Sequence, residues 1–404
     1  MTYDVAIVGG GMVGATLAVA LAPLNLRVAL IEAIPHNAAA QPSFDERTTA
    51  LSNGSRRILQ TIGAWTELSA LATPIRKIHV SDQGRFGFAR IDAGEQGLDA
   101  MGFVLPNRAL GNALWSRLPD AAIKIFCPAE VSQLNANDEA VKIEIAAAGG
   151  KTVIEAKLIV AADGTHSVVR SAFGIAAEVR DYEQTAVITT VLPQRFHDNV
   201  AYERFTPSGP LALLPLEGGR CTLVLTLAKD AAQSSLAWSD QEFLAEVQRR
   251  FGFRLGRFLK VGRRVPYPLS LSQSERTSAR RCVIIGNAAQ GLHPVAGMGF
   301  NLGLRDAACL AELIAENARK GADPGGAKLL SEYDAWRSAD RGGIIAFTDG
   351  LVRMFSNPLG SVRRVRNLGL LAFDLLPPAK SALSRLSTGG GGRVPKLARG
   401  VALT

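Results

Sequence analysis

Apolar positions run without a break from Val5 to Val8, stop at a cluster of glycines, resume at helical spacing, and run again from Val28 to Ile31. A short apolar run bounded by turn residues predicts a buried strand, and the spacing between the two runs predicts a helix. The stretch YDVAIVGGGMVGATLAVALAPLNLRVALIE (Tyr3–Glu32) therefore reads strand, helix, strand. Val5–Asn25 carries no charge, the length of a membrane span, but glycines and Pro23 interrupt it and Asp4 precedes it. No basic residue stands before it either, so it fails as a signal peptide.

The pattern continues with a helix capped by Asn53 or Ser55 and stopped at Gly63, strand-like alternation at Ile75–Ser81, and a helix from Arg108 to Leu118. Short strands follow at Ile123–Phe126, Val131–Leu134, Val141–Ala146, Thr152–Ala156 and Lys157–Ala162. The last contains LIVAA, apolar throughout, which predicts a central strand. From about Tyr182 the texture becomes β, with runs at Thr185–Leu192, Ala201–Phe205, Leu211–Pro215 and Cys221–Leu227 separated by Pro and Gly turns. They predict an antiparallel sheet with one face open to a ligand or a second layer. A helix at Asp240–Phe251 precedes CVIIG (Cys282–Gly286), which returns to buried-strand character. A long helix then runs from Phe300 to about Asn317, with further helices at Gly326–Asp340 and Gly342–Phe355.

These elements describe an α/β chain, α+β overall. A Rossmann-like domain (1–181, resumed at 281–356) carries an inserted antiparallel sheet (182–280) with one face open to a ligand or a second layer, and a helical C-terminus ends in a basic segment (357–404). Four cysteines lie far apart with no CxxC or His-x-Cys spacing, which points to free thiols and to no metal. The net charge of +9 is uneven: from Leu351 onward nine Lys or Arg stand against Asp374 alone. A nucleic-acid protein spreads its basic residues through the fold with aromatics among them. A basic tail mixed with leucines instead fits an anionic membrane surface or an acidic partner. Leu359–Leu376 has apolar positions at helical spacing, equally consistent with packing against the body. Thr388–Gly392 reads as a flexible joint.

The chemistry begins in the first turn. Gly9 permits a tight bend, Gly11 lets a pyrophosphate approach the backbone, and Gly14 lets the helix lie close on the sheet. The helix N-terminus offers free N–H groups and about half a positive charge. Glu32 closes the second strand, where a carboxylate accepts hydrogen bonds from a ribose. The plain alternative is a tight strand–helix turn without a ligand. Asp163-Gly164 follows the central strand, and GNAAQGLHPVAGMGFNLGLRDA (Gly286–Ala307) repeats the device of a glycine-rich loop opening a helix. His293 in that loop reads first as a structural histidine, with a catalytic role as the sharper alternative.

Taken together, these motifs resemble the single-component FAD-dependent aromatic hydroxylases of the para-hydroxybenzoate hydroxylase fold. HVSDQGRFG (His79–Gly87), AADGTHSVVR (Ala161–Arg170), YEQTAV (Tyr182–Val187) and ERFTPSGPLALLPL (Glu203–Leu216) narrow the resemblance to the ubiquinone-biosynthesis hydroxylases, nearest the branch acting on 2-polyprenyl-6-methoxyphenol. The resemblance implies that Gly9, Gly11, Gly14 and Glu32 hold the ADP half of FAD. It places Arg47 and Arg108 at the phosphate and ribityl region, Val131 with its backbone toward the adenine, and Asp163 at the pyrophosphate and NAD(P)H. Asn287 stands where the broader class has an Asp on the ribityl chain, and Pro294, Gly297, Gly299 and Asn301 surround the isoalloxazine. It implies NAD(P)H as a transient electron donor, dioxygen as oxidant, and a polyprenyl phenol as substrate. It also implies a cytoplasmic protein, peripheral on the inner membrane through the basic C-terminus or joined there to a biosynthetic complex. The catalytic base is not named by the sequence; Tyr182, His293 and water remain open. A flavin dehydrogenase or prenyl reductase, or a prenyl-binding escort protein without FAD, are rival readings on the same fold.

Overall fold

In the computed structural model, all residues are described except 39–40, 42–46, 119–121, 293–296, 357–373 and 375–392. The N-terminal unit runs β1 (Thr2–Val8), α1 (Met12–Leu21), β2 (Val28–Ile31), β3 (Thr48–Ser52), α2 (Asn53–Thr61), α3 (Trp65–Leu68), β4 (Thr73–Ile75), β5 (Lys77–Asp82), β6 (Phe88–Asp92), β7 (Gly102–Pro106) and α4 (Asn107–Trp115). There follow β8 (Ile123–Phe126), β9 (Ala129–Ala136), β10 (Val141–Ala147), β11 (Gly150–Ala161), α5 (Val168–Ala172), β12 (Ala177–Pro193), β13 (Val200–Thr206), β14 (Gly209–Pro215) and β15 (Cys221–Ala228). The remainder is α6 (Lys229–Leu236), α7 (Asp240–Phe251), β16 (Phe258–Val261), β17 (Val265–Ser274), β18 (Ser278–Ala279), β19 (Cys282–Ile284), β20 (Gln290–Gly291), α8 (Met298–Arg319) and α9 (Ala327–Ser356).

Three sheets organise the chain. The first, of eight strands, has the order β18-β19-β11-β1-β2-β8, with β10 and β9 extending from β11. Its centre is parallel: β1 pairs with β2 on one side and β11 on the other, and β19 returns late in the chain to flank β11. Burial on both faces explains the unbroken apolar runs of these strands. The second sheet, of nine strands, has the order β20-β17-β12-β15-β14-β13-β5-β6, with β16 on β12. It draws β5 and β6 from well before the run of strands that begins at β12. A small third sheet has the order β3-β7-β4, and Thr48 and Thr222 join it to β15 through their hydroxyls at 2.7 Å.

Several sequence expectations change here. Thr152–Ala156 and Lys157–Ala162 are one strand, β11, because no turn residue separates them. Its first half pairs antiparallel with β10 and its second half parallel with β1, so a change of partner replaces a break. Ile75–Ser81 is the reverse case: the chain leaves one sheet at Ile75 and enters another at Lys77. The cap of α2 is Ser52, whose hydroxyl accepts from the Ser55 amide at 3.2 Å, not Asn53 or Ser55. The two helices expected at 326–355 form a single helix, α9; Gly342 and Gly343 each weaken it by about 1 kcal/mol, which the burial of Tyr333, Arg337, Ile344 and Thr348 outweighs. The amphipathic stretch at 359–376 and the glycine joint lie outside the described residues, apart from Asp374. Residues 393–404 turn inward: Leu397, Ala398 and Leu403 join the core around α1, α2 and α8. Those apolar side chains are used by the body itself and are not offered to a membrane.

A buried ionic cluster binds α8 to α9. Asp306, fully buried, pairs with Arg337 Nε at 2.8 Å, and its other oxygen accepts from the Gly286 amide at 3.0 Å and from Gln290 at 2.7 Å. Arg305 and Arg337 both meet Asp340. Removing one member leaves an uncompensated buried charge. Asp306→Ala should therefore lower unfolding free energy by about 3–5 kcal/mol in denaturant titration, whereas exposed pairs such as Arg117–Glu67 should be worth less than about 1 kcal/mol.

Candidate active site

A cavity of about 950 Å³ lies between the two large sheets and takes lining residues from both. Its first end is the turn from β1 into α1. Gly9 has φ +101, and a Cβ there would stand 2.4 Å from the Ala162 carbonyl oxygen at the end of β11. A Cβ on Gly14 would stand 1.9 Å from the Gly9 carbonyl oxygen. Both glycines are therefore required by close backbone approach. Gly11 caps α1 with no side-chain hydrogen bond and no acid in the first turn, so the free amides there face the cavity as an anion site. Glu32 Oε2 accepts from the Gly10 amide and Oε1 from the Ile34 amide at 2.9 Å. Those amides fix the carboxylate against the glycine turn, leaving a lone pair for a ribose hydroxyl.

Asp163 enters from the end of β11, ahead of Gly164 at φ +82. Its Oδ2 accepts from the Val169 amide at 3.2 Å at the start of α5, while Oδ1 is buried without a partner. Burial raises this carboxyl above the ordinary range, partly offset by hydrogen bonds from Ser167 and nearby amides. Val131, Asn287, Gly297 and Gly299 also line the cavity. Arg47 lines it with its guanidinium 5.1 Å from the centre of the Tyr267 ring. Gly9, Gly11, Glu32, Arg47, Val131, Asp163, Asn287, Gly297 and Gly299 thus come to one cavity from dispersed places in the chain.

Other expected residues are placed differently. Asn301 spends its side chain on the protein: Oδ1 accepts from the Ser52 amide at 2.8 Å, and Nδ2 donates to Ala50 and Gly297 carbonyls at 2.9 and 2.7 Å. It ties the glycine loop to β3 and the start of α2. Arg108 is not among the cavity's lining residues; its neighbour Asn107 is, and accepts from the Thr49 hydroxyl at 2.6 Å. Tyr182 also falls outside the lining, with its hydroxyl on Asp349 of α9 at 3.2 Å. His293 and Pro294 lie outside the described residues.

The second end of the cavity is one face of the nine-stranded sheet. Glu203 is the residue that sequence reasoning passed over there. Alternation along β13 sends Tyr202 and Arg204 toward α7, where Tyr202 packs on Phe251, and Glu203 toward the cavity. The available signal was an acid on the face that ought to be apolar. Burial pushes its carboxyl up to about 7.

The donor set fits FAD. Two glycines that exclude a Cβ, an uncapped helix N-terminus, a carboxylate fixed for a ribose and the orphaned Asp163 oxygen form a dinucleotide cradle. The sequence profile described as an FAD binding domain matches residues 2–347. The ubiquinone hydroxylase UbiL of Rhodospirillum rubrum is 40% identical over 99% of this chain and 93% of its own length. The 3-demethoxyubiquinol 3-hydroxylase of Escherichia coli is 31% identical over 92% of this chain and 94% of its own. Among solved structures, p-nitrophenol 4-monooxygenase PnpA of Pseudomonas putida shares the fold at a TM-score of 0.80, with 20% identity, over 97% of this chain and 100% of that one. The FAD-binding profile and the ubiquinone hydroxylases at 31–40% identity make the chain a flavin-dependent monooxygenase that takes FAD, a class that draws electrons from NAD(P)H. The chain belongs to the ubiquinone-biosynthesis hydroxylases among the FAD-dependent aromatic hydroxylases.

Gly14→Ala should leave the purified protein colourless, because its Cβ has no room beside Gly9. Flavin absorbance per mole of protein measures the loss, and far-UV circular dichroism separates it from unfolding.

Proposed function

We propose that this enzyme hydroxylates the aromatic ring of a polyprenyl phenol, of the 2-polyprenyl-6-methoxyphenol type, in ubiquinone biosynthesis. The observation that carries the reading is the continuity of the cavity. A dinucleotide cradle opens into a sheet face formed by Ile188, Ala212, Leu214 and Val224, with Ile78 and Ala201 beside them. That face suits a greasy aromatic and keeps water away from the reacting centre. FAD, when bound, supplies the electrophilic oxygen that no side chain can. The chain contributes the uncapped first turn of α8 behind Gly297, whose amides favour negative charge, and the walls that hold the ring. The relatives named as ubiquinone hydroxylases support the pathway. One relative is named as a 3-hydroxylase of 3-demethoxyubiquinol, which favours a different ring position as the second reading.

The basic segment supports peripheral attachment to an anionic bilayer, where such a substrate resides. Among the described residues no helix is long and apolar enough to cross a membrane. The segment leaves α9 at Ser356, meets the body again where Asp374 accepts from the Arg90 amide at 2.7 Å on the nine-stranded sheet, and returns at Arg393.

Deleting the gene should make a polyprenyl methoxyphenol accumulate in the lipid extract, and purified enzyme should convert it only with NAD(P)H and dioxygen present. An unchanged quinone pool would remove the pathway assignment; accumulation of a later precursor would move the reaction to another carbon. Replacing Arg363, Arg364 and Arg366 by Glu should weaken sedimentation with phosphatidylglycerol vesicles at least tenfold while bound flavin stays unchanged. Equal binding by the variant would end the membrane reading.

A further inference from the structure

Strand register places one ionisable group in an otherwise apolar row. Glu203 on β13 stands opposite Val80 of β5 and Ala212 of β14; Ala212 stands opposite Val224 of β15, and Val224 opposite Ile188 of β12. Residues in register share a face, so Glu203 projects into the cavity beside a floor of Ala212, Val224 and Ile188. Among the described residues no hydrogen bond or ion pair engages it, and burial alone shifts its titration. Glu203 is half-buried and opens onto the cavity; a carboxyl held against apolar neighbours without a partner is costly, and a packing role would be served better by Leu or Gln.

We propose that Glu203 is the catalytic base that takes the phenolic proton of the substrate, a role that rests on the polyprenyl-phenol reading above. The phenol O–H bond breaks and a carboxyl O–H bond forms. The freed electron pair moves into the ring, whose carbon forms the new C–O bond to one oxygen of dioxygen as the O–O bond breaks; the second oxygen leaves as water, and the nicotinamide nucleotide supplies the two electrons. The ring carbon then loses its hydrogen as a proton to water, and Glu203 returns its own proton to the carbonyl oxygen left on the ring. Glu203 ends unchanged and C–H has become C–OH. A base is most effective when it titrates near the working pH, and this carboxyl is pushed up to about 7. The other ionisable residues on the cavity are Arg47 and Tyr267, stacked on each other, Tyr202, whose ring packs on Phe251, and the acids Glu32, Glu130 and Asp163. On β5, Lys77 and His79 line a separate pocket with Arg90 and Arg254, and Asp349 of α9 is taken up by Tyr182 and Arg180.

The test compares wild type, Glu203→Gln and Glu203→Asp as FAD-loaded enzymes with a short-chain 2-prenyl-6-methoxyphenol, measuring product, flavin content, kcat, KM and the pH profile. Wild-type kcat should rise through a limb near pH 7. E203Q should keep its flavin and its KM within a few-fold, lose about 100-fold or more in kcat, and lose the limb. E203D should keep the limb at an intermediate rate. Unfolding should find E203Q at least as stable as wild type at pH 8, which a structural role would not give. An E203Q that retains both kcat and limb, or that changes KM alone, overturns the proposal. A wild type that leaves every phenol of this class unconverted overturns the functional reading instead, and the base role with it.

Discussion

The structure depends on three backbones meeting at Val13. A Cβ on Gly286 would come 3.2 Å from the Val13 side chain, and one on Gly303 would come 2.9 Å from it and 3.2 Å from the Gly286 Cα. The turn after β19 and the second turn of α8 therefore touch with no side chain between them, and both pack on the Val13 side chain from the first turn of α1. Asp306 holds that contact closed by accepting from the Gly286 amide while Arg337 neutralises it from α9. A buried ion pair is weak evidence of net stability, since an apolar pair often does as well. Its effect here is geometric. It fixes the loop that carries Asn287 to α8, and Val13 sets that loop beside the first turn of α1, so the cavity begun by the first thirty residues is completed by the last third of the chain.

The nine-stranded sheet is two surfaces with different work. Leu211, Leu213, Leu223 and Leu225 point one way, onto Phe243 and Val247 of α7, and close a core of their own. The alternating residues Ala212, Leu214, Thr222 and Val224 point the other way and leave the cavity open. Period-two alternation thus separates stability from binding on the same strands. The Thr48–Thr222 contact and the Asn301 ties then bring β3 and the glycine loop to the rim of that open face.

Much of the cradle was legible because its constraints are local. Gly9, Gly14 and Glu32 are fixed by one turn and the strand beside it, so spacing alone identifies them. Asp163 and Asn287 were legible by resemblance and take their place because β11 and β19 flank one another. Residues fixed by long-range pairing were not legible. Tyr182 is close in sequence to the β run but turns its hydroxyl to α9, and Arg108 yields its place at the cavity to Asn107. Glu203 was quoted within a motif, yet its facing follows from registers with β5 and β14, distant or turn-separated strands that no local pattern aligns. The union of two predicted strands into β11 has the same origin, since its partners change while its own backbone does not.

The position of Glu203 also sets a direction for stability. Its folded carboxyl titrates near 7 because burial disfavours the charged form, whereas in the unfolded chain it titrates in the ordinary glutamate range. Below that ordinary range both states hold the proton and nothing is lost. As pH rises toward 7 the unfolded chain releases its proton first, so the folded state loses stability progressively and levels off once the folded carboxyl has ionised. At neutral pH the fold thus carries a carboxylate that weakens it, on a wall where every neighbour in register is apolar. An uncharged residue there would remove that cost, so the acid at this position is accounted for by the proton transfer proposed for it and not by packing.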